Sequence, residues 1–131
     1  MVQNLLSHYL RTCMSKTILL VEDEDSMQIL LTYVLKSKGF VVHLASNGKD
    51  AISLLRTSEF DLLCSDIMLP EVNGIEVCAY ARKKYPDLPI IVISSKSQEK
   101  EIETALEVGA NDYITKPFDV DYLLQIIKKY L

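Results

Sequence analysis

The chain has 131 residues, 49% of them hydrophobic, and a net charge of −4 at pH 7. That is the size of one ordinary domain, with enough apolar residues for a sizeable core. The acidic balance, with a pI near 5.1, argues against a nucleic-acid surface, and no apolar run is long enough to span a membrane.

The first fifteen residues, MVQNLLSHYLRTCMS, differ from the rest. They lack the basic start and long apolar block of a signal peptide. Leu5, Leu6, Tyr9 and Leu10 would line one side of a short helix. The plainer reading is a loose extension, with the compact domain opening near Met14. We take residues 1–15 as an extension and 16–131 as one domain. The three cysteines, Cys13, Cys64 and Cys78, share no metal or redox spacing. They suggest a reducing compartment such as the cytoplasm. Cys64 sits inside an apolar run and reads as a small core residue.

From Lys16 onward two kinds of segment alternate. Short β-rich runs occur at Thr17–Val21, Phe40–Leu44, Asp61–Ser65, Ile90–Ile93 and Asp112–Ile114. Between and after them, helical spacing covers Ser26–Lys38, Lys49–Arg56, Gly74–Tyr85, Gln98–Val108 and Val120–Leu131. Asp25 and Ser26 suit the N-cap of the first helix. Gly39 and Gly109 follow helices where a C-terminal glycine cap is favoured. Five strands alternating with five helices predict a doubly wound α/β domain with a parallel sheet and right-handed crossovers.

Ligands in such folds bind beyond the C-terminal ends of the strands. There the chain has Glu22, Asp23, Glu24 and Asp25 after the first strand, and Asp66 after the third. Ser94 and Ser95 follow the fourth, and Thr115, Lys116 and Pro117 the fifth. A parallel sheet gathers these on one edge. Helix dipoles and capping account for some of the acids. They do not account for carboxylates at the tips of two buried strands, which repel by roughly 3–4 kcal/mol per close pair at an effective dielectric near 20. A hard divalent cation with oxygen ligands, such as Mg2+, would offset that, with Lys116 adding positive charge.

Four motifs in order, ILLVEDE (Ile18–Glu24), DIMLPEVNG (Asp66–Gly74), IVISS (Ile91–Ser95) and DYITKPF (Asp112–Phe118), carry a specific likeness. From Lys16 to Leu131 the chain resembles a bacterial two-component response-regulator receiver domain of the single-domain, chemotaxis-regulator-like kind. That resemblance implies a flavodoxin-like five-stranded parallel sheet in the order 2-1-3-4-5, flanked by five helices. It makes Asp66 the phosphoacceptor, supplied by a histidine kinase or histidine phosphotransferase. Mg2+ would be held by Asp23 directly, by Glu22 through water, by Asp66 and by the Met68 backbone carbonyl. Lys116 would contact the phosphoryl group, with a cis bond to Pro117. Ser94, next to Ser95, would be the switch hydroxyl and Tyr113 the switch aromatic. They would alter the face formed by the fourth helix, fifth strand and fifth helix, where an unknown target protein binds. Lys96 and Met68, each two residues beyond a site residue, point towards slow phosphoryl loss. The protein would promote only its own phosphorylation and dephosphorylation, engage no nucleic acid or membrane, and be a monomer or weak dimer. No output domain follows Leu131, so the chain is either a single-domain regulator or a fragment. Ile126 stands where dimerising receivers usually carry an arginine.

Other readings have less behind them. A flavodoxin-like oxidoreductase would need a Gly/Ser/Thr-rich phosphate loop where this chain has EDED. An aspartyl-phosphate hydrolase would carry its nucleophile after the first strand, which Asp23 and Asp25 fit only loosely. A receiver-like module that no longer takes phosphate is disfavoured because acid pair, acceptor, hydroxyl and lysine are all present.

Overall fold

The structure, a computed structural model, describes residues 16–131. The reading of residues 1–15 lies outside the described residues. Five strands, β1 (Thr17–Val21), β2 (Val41–Ala45), β3 (Leu62–Ser65), β4 (Ile90–Ser94) and β5 (Asp112–Thr115), alternate with five helices. These are α1 (Asp25–Ser37), α2 (Gly48–Thr57), α3 (Gly74–Lys84), α4 (Glu99–Glu107) and α5 (Val120–Tyr130). All strand pairs are parallel, in the order β2-β1-β3-β4-β5. The expected fold class and strand order are both observed.

Alternation along the strands sorts the core into two layers. Leu19, Val21, Leu63, Ile90 and Val92 face α2, α3 and α4, meeting Ala51, Leu55, Val77, Cys78, Ala81 and Ala105. Ile18, Leu20, Leu62, Cys64, Ile91, Ile93 and Ile114 face α1 and α5, meeting Leu31, Leu35, Leu123 and Ile127. The three inner strands β1, β3 and β4 are almost wholly buried, as two-sided parallel strands must be. Cys64 is a core residue, as its surroundings in the sequence predict.

The local differences have local causes. β2 begins at Val41 rather than Phe40, because the Phe40 N–H bonds back to the Leu35 carbonyl and closes α1. Gly39 and Gly109 take φ of 91° and 123°, the left-handed conformation expected after a helix. The N-cap of α1 is Glu24, not Asp25 or Ser26, and it makes no side-chain cap bond. The Ser26 hydroxyl instead donates to Glu24 Oε1 at 2.7 Å, while Asp25 supplies negative charge in the first turn.

Two close approaches fix the β3–α3 loop. A Cβ on Gly48, at the start of α2, would lie 1.9 Å from the Val72 carbonyl oxygen. A Cβ on Gly74, at the start of α3, would lie 1.9 Å from the Asp66 carbonyl oxygen. Neither position has room for any other side chain. Within this loop Glu71 turns the chain with φ of 65°.

Candidate functional site

Strand order reverses at β1, and a crevice opens between the ends of β1 and β3. The ladder hydrogen bonds run one step past the strands and lock the first loop residues in place. The Glu22 N–H donates to the Ala45 carbonyl at 3.0 Å, and the Asp66 N–H to the Val21 carbonyl at 3.0 Å. Lys116 N–H donates to the Ser94 carbonyl at 2.8 Å. Glu22, Asp66 and Lys116 are therefore carried on backbone held by the sheet's own hydrogen bonds.

Glu22, Asp23 and Asp66 converge so that one carboxylate oxygen of each lies within 4.8 Å of the others. Glu22 is 2% exposed and Asp66 7%, whereas Asp23 faces solvent. The Lys116 ammonium lies 2.8 Å from both Glu22 Oε1 and Asp66 Oδ2. Burial alone would lower the lysine's pKa, but the bonds to Asp66 and Glu22 outweigh it and hold the ammonium above its usual value. The remaining oxygens of the two buried acids are also engaged. Glu22 Oε2 accepts the Glu24 N–H at 3.1 Å, and Asp66 Oδ1 accepts the Met68 N–H at 3.1 Å. Among the described residues, Asp23 has no such partner. One ammonium against three carboxylates leaves two negative charges uncompensated. At 4.8 Å and an effective dielectric near 20, each carboxylate pair repels by roughly 3.5 kcal/mol. A small divalent cation with hard oxygen ligands fits this donor set and would cancel that charge.

Ser94, at the tip of β4, is fully buried, and its Oγ accepts the Lys96 N–H at 3.1 Å. Ser95 and Lys96 are exposed. Tyr113, on β5, packs its ring against the α2–α4 layer, and its hydroxyl donates to the Lys96 carbonyl at 2.6 Å. Burial pushes the Tyr113 pKa up, while the nearby Ser94 hydroxyl acts in the opposite direction. Tyr113, Lys96 and Ser94 thus form one connected unit beside Lys116. The Lys116–Pro117 peptide is cis, as expected. Met68 lies on the rim, 54% exposed, beside an open hollow of about 560 Å³ lined by Asp23, Ile67, Met68, Leu69, Pro70 and Asn73.

Of the candidates from the sequence reading, Glu22, Asp23, Asp66 and Lys116 come together at the C-terminal edge of the sheet, Ser94, Ser95 and Lys96 lie at the end of β4, and Tyr113, placed within β5, reaches that end through its hydroxyl. Three supporting residues were not singled out there. Gln28 Nε2 donates to the Glu22 carbonyl at 2.6 Å, and the buried Ser65 hydroxyl to the Asp66 carbonyl at 2.9 Å. Gly74 keeps the space against Asp66 described above. Nothing in their local sequence marks the first two, whereas Gly74 is visible only as a chain breaker.

Residues 18–128 match the family model of the response regulator receiver domain. A response regulator receiver domain protein (CheY-like) from Methanospirillum hungatei is 28% identical, with a TM-score of 0.84 over 87% of this chain and 91% of that one. The response regulator TrrA from Thermotoga maritima, in complex with Mg(2+)-BeF, is 33% identical, with a TM-score of 0.81 over 88% and 99%. The receiver domain of a Pseudomonas aeruginosa sensor histidine kinase, with a magnesium ion coordinated in its active site cleft, is 29% identical. Its TM-score is 0.81 over 88% and 97%.

Proposed function

The chain belongs to the response-regulator receiver domain family of two-component signalling, and from that premise we propose that Asp66 is its phosphoacceptor. The observation that carries this is Asp66 held at a strand tip, 2.8 Å from Lys116 and within 4.8 Å of Glu22 and Asp23. The donor is the phosphohistidine of a histidine kinase or histidine phosphotransferase. An Asp66 carboxylate oxygen attacks phosphorus, the P–N bond breaks, and the departing imidazole takes up a proton. Such transfer needs alignment and charge neutralisation more than covalent help. Lys116 binds a phosphoryl oxygen with its ammonium. Asp23 would hold Mg2+ directly, its carboxylate having no other partner among the described residues, Asp66 beside it would share the ion, Glu22 would act through water, and the Met68 carbonyl would be a further oxygen ligand. Bound Mg2+ supplies neutralisation of the phosphoryl oxygens. The Mg2+ seen in the Thermotoga and Pseudomonas structures supports the same ion here.

A phosphoryl oxygen on Asp66 offers the Ser94 hydroxyl a strong acceptor. Ser94 already meets the Lys96 N–H, and Tyr113 the Lys96 carbonyl. A shift of Ser94 therefore reaches the α4–β5–α5 face, where a target protein binds. The simpler view of Tyr113 as a strand aromatic leaves its bond to Lys96 without a role. The setting is the cytoplasm, supported by scattered cysteines, and no described helix is long and apolar enough to cross a membrane. Incubation with acetyl phosphate and Mg2+ should add one phosphoryl group by mass, and EDTA should prevent it. Asp66→Asn should fold normally and gain nothing; full labelling of that variant would refute the assignment.

A further inference from the structure

The outer side of β2 plays no part in the reading above. β2 ends the sheet, and among the described residues only β1 pairs with it. The Val41 N–H donates to the Lys16 carbonyl at 2.9 Å, and the Ala45 carbonyl accepts the Glu22 N–H at 3.0 Å. Val41, His43 and Ala45 therefore turn their backbone groups towards β1, and alternation turns those of Val42 and Leu44 out of the sheet. Nothing in the strand guards this row. It reads VVHLA, with no acid, lysine, proline or bulge, whereas β5 on the opposite side opens on Asp112 and runs into Lys116 and Pro117. Apolar surface continues from β2 onto α1. Leu44 is 40% exposed and Ile29 and Tyr33 are each 72% exposed, and with Gln28 and Thr32 they line a shallow groove of about 360 Å³.

We propose that a second copy of this chain pairs here, β2 against β2, antiparallel about a twofold axis at His43. The backbone fits this occupant. In that register both outward groups of Val42 meet both of Leu44 in the second copy, and the reverse, so none of them is left unpaired. The side chains agree. Val42 and Leu44 lie on the α1 face of the strand, so each cross-strand pair sets valine against leucine. The charges agree as well. Gln28 Nε2 donates to Ser46 Oγ at 3.2 Å and the Phe40 N–H to the Leu35 carbonyl at 3.2 Å, so α1 runs antiparallel to β2. Exposed Glu24 and Asp25 at the start of α1 stand by the C-terminal end of β2, and exposed Lys36 and Lys38 at its end stand by the N-terminal end. The twofold axis exchanges those ends and lays the acids of one copy beside the lysines of the other. It also brings both flanks bearing Ile29 and Tyr33 to the same face of the joined sheet, where they cover each other. A foreign strand could use the same backbone groups, but the valine–leucine pairs and opposed charges follow from this sequence meeting itself.

The test uses the full chain. Sedimentation should show the mass rising towards twice that of one chain as the concentration climbs into the millimolar range. Over the same range the Val42 and Leu44 amides should slow together in hydrogen exchange, by about tenfold or more. His43→Glu, which sets like charges opposite each other at the axis, should abolish both changes while the spectrum stays that of a folded protein. Leu44→Lys, as a second variant, should do the same. A mass that stays at one chain throughout overturns the proposal; if the two amides are protected even so, the strand is covered from within its own chain. A dimer in which those amides exchange as fast as in dilute protein overturns it too, as does a dimer that both variants still form.

Discussion

The two edges of the sheet treat charge in opposite ways. At the N-terminal edge the charges of Asp61, Asp112 and Arg82 are all matched. Asp61 accepts the Thr17 N–H at 2.7 Å, and Asp112 accepts the Tyr130 hydroxyl and pairs with Lys129 at 3.6 Å. Arg82 spends its guanidinium on the Gly109, Tyr85 and Pro86 carbonyls and the Asn111 side chain, tying the end of α3 to the α4–β5 turn. At the C-terminal edge three carboxylates gather beside one lysine that pairs with only two of them. One edge closes its interactions within the chain; the other leaves charge to be completed by something outside it. Stability is therefore invested at the first edge and chemistry at the second.

That division can be broken by substitution, most sharply at the metal ligands. Asp23→Ala should weaken Mg2+ binding more than a hundredfold by fluorescence titration. Glu22→Gln should cost about 10–100-fold, the usual range for a residue acting through a ligand rather than as one. Equal losses would erase the distinction between them. At the opposite edge, Arg82→Ala should lower unfolding free energy by about 2–3 kcal/mol in urea, since charged hydrogen bonds are removed and carbonyls left bare. The folded variant should still take phosphate at the wild-type level. A loss of uptake without a loss of stability would reverse the proposed roles of the edges.

The cleft was legible in the sequence because its charged and hydroxyl residues lie at or just beyond the ends of apolar strands, and parallel topology turns such positions into neighbours. Glu22, Asp66, Ser94 and Lys116 needed only that rule. Arg82 was not legible, since its partners Gly109 and Asn111 are 27 and 29 residues away. The capping of α1 was misread because Glu24, a poor cap by type, precedes two better ones. In place of a side-chain cap, the start of that helix is tied back by Gln28, whose side chain donates to the Glu22 carbonyl six residues earlier.

A gentler contrast comes from pH. Lys116 has its folded pKa raised above the ordinary 10.5. Its contribution to stability is complete below that value and drains away as pH rises through the higher folded one. Wild-type stability should therefore fall above about pH 10.5, and Lys116→Met should flatten that limb in urea melts carried up through that value. An unchanged slope would separate the lysine from the stability of this edge. The smallest effect concerns the lifetime of the proposed acyl phosphate. Met68 offers attacking water a poor hydrogen-bond partner, and charged Lys96 cannot accept its proton. Met68→Asn combined with Lys96→Glu should speed phosphate release severalfold, followed by radiolabel decay. An unaltered rate would mean that water access does not set the lifetime.

The contact between Gly74 and the Asp66 carbonyl has a consequence for how this protein can diverge. Ser94 has a chemically close stand-in, since a threonine would keep its hydroxyl. At Gly74 the needed group is a hydrogen atom, and it has no near substitute, because even one methyl would meet the backbone at 1.9 Å. Gly48 stands in the same position against Val72. In a library of random variants selected for phosphoryl uptake, both codons should return unchanged while Met68 and Lys96 drift freely. The most restricted positions around the site would then be those with no side chain to contribute.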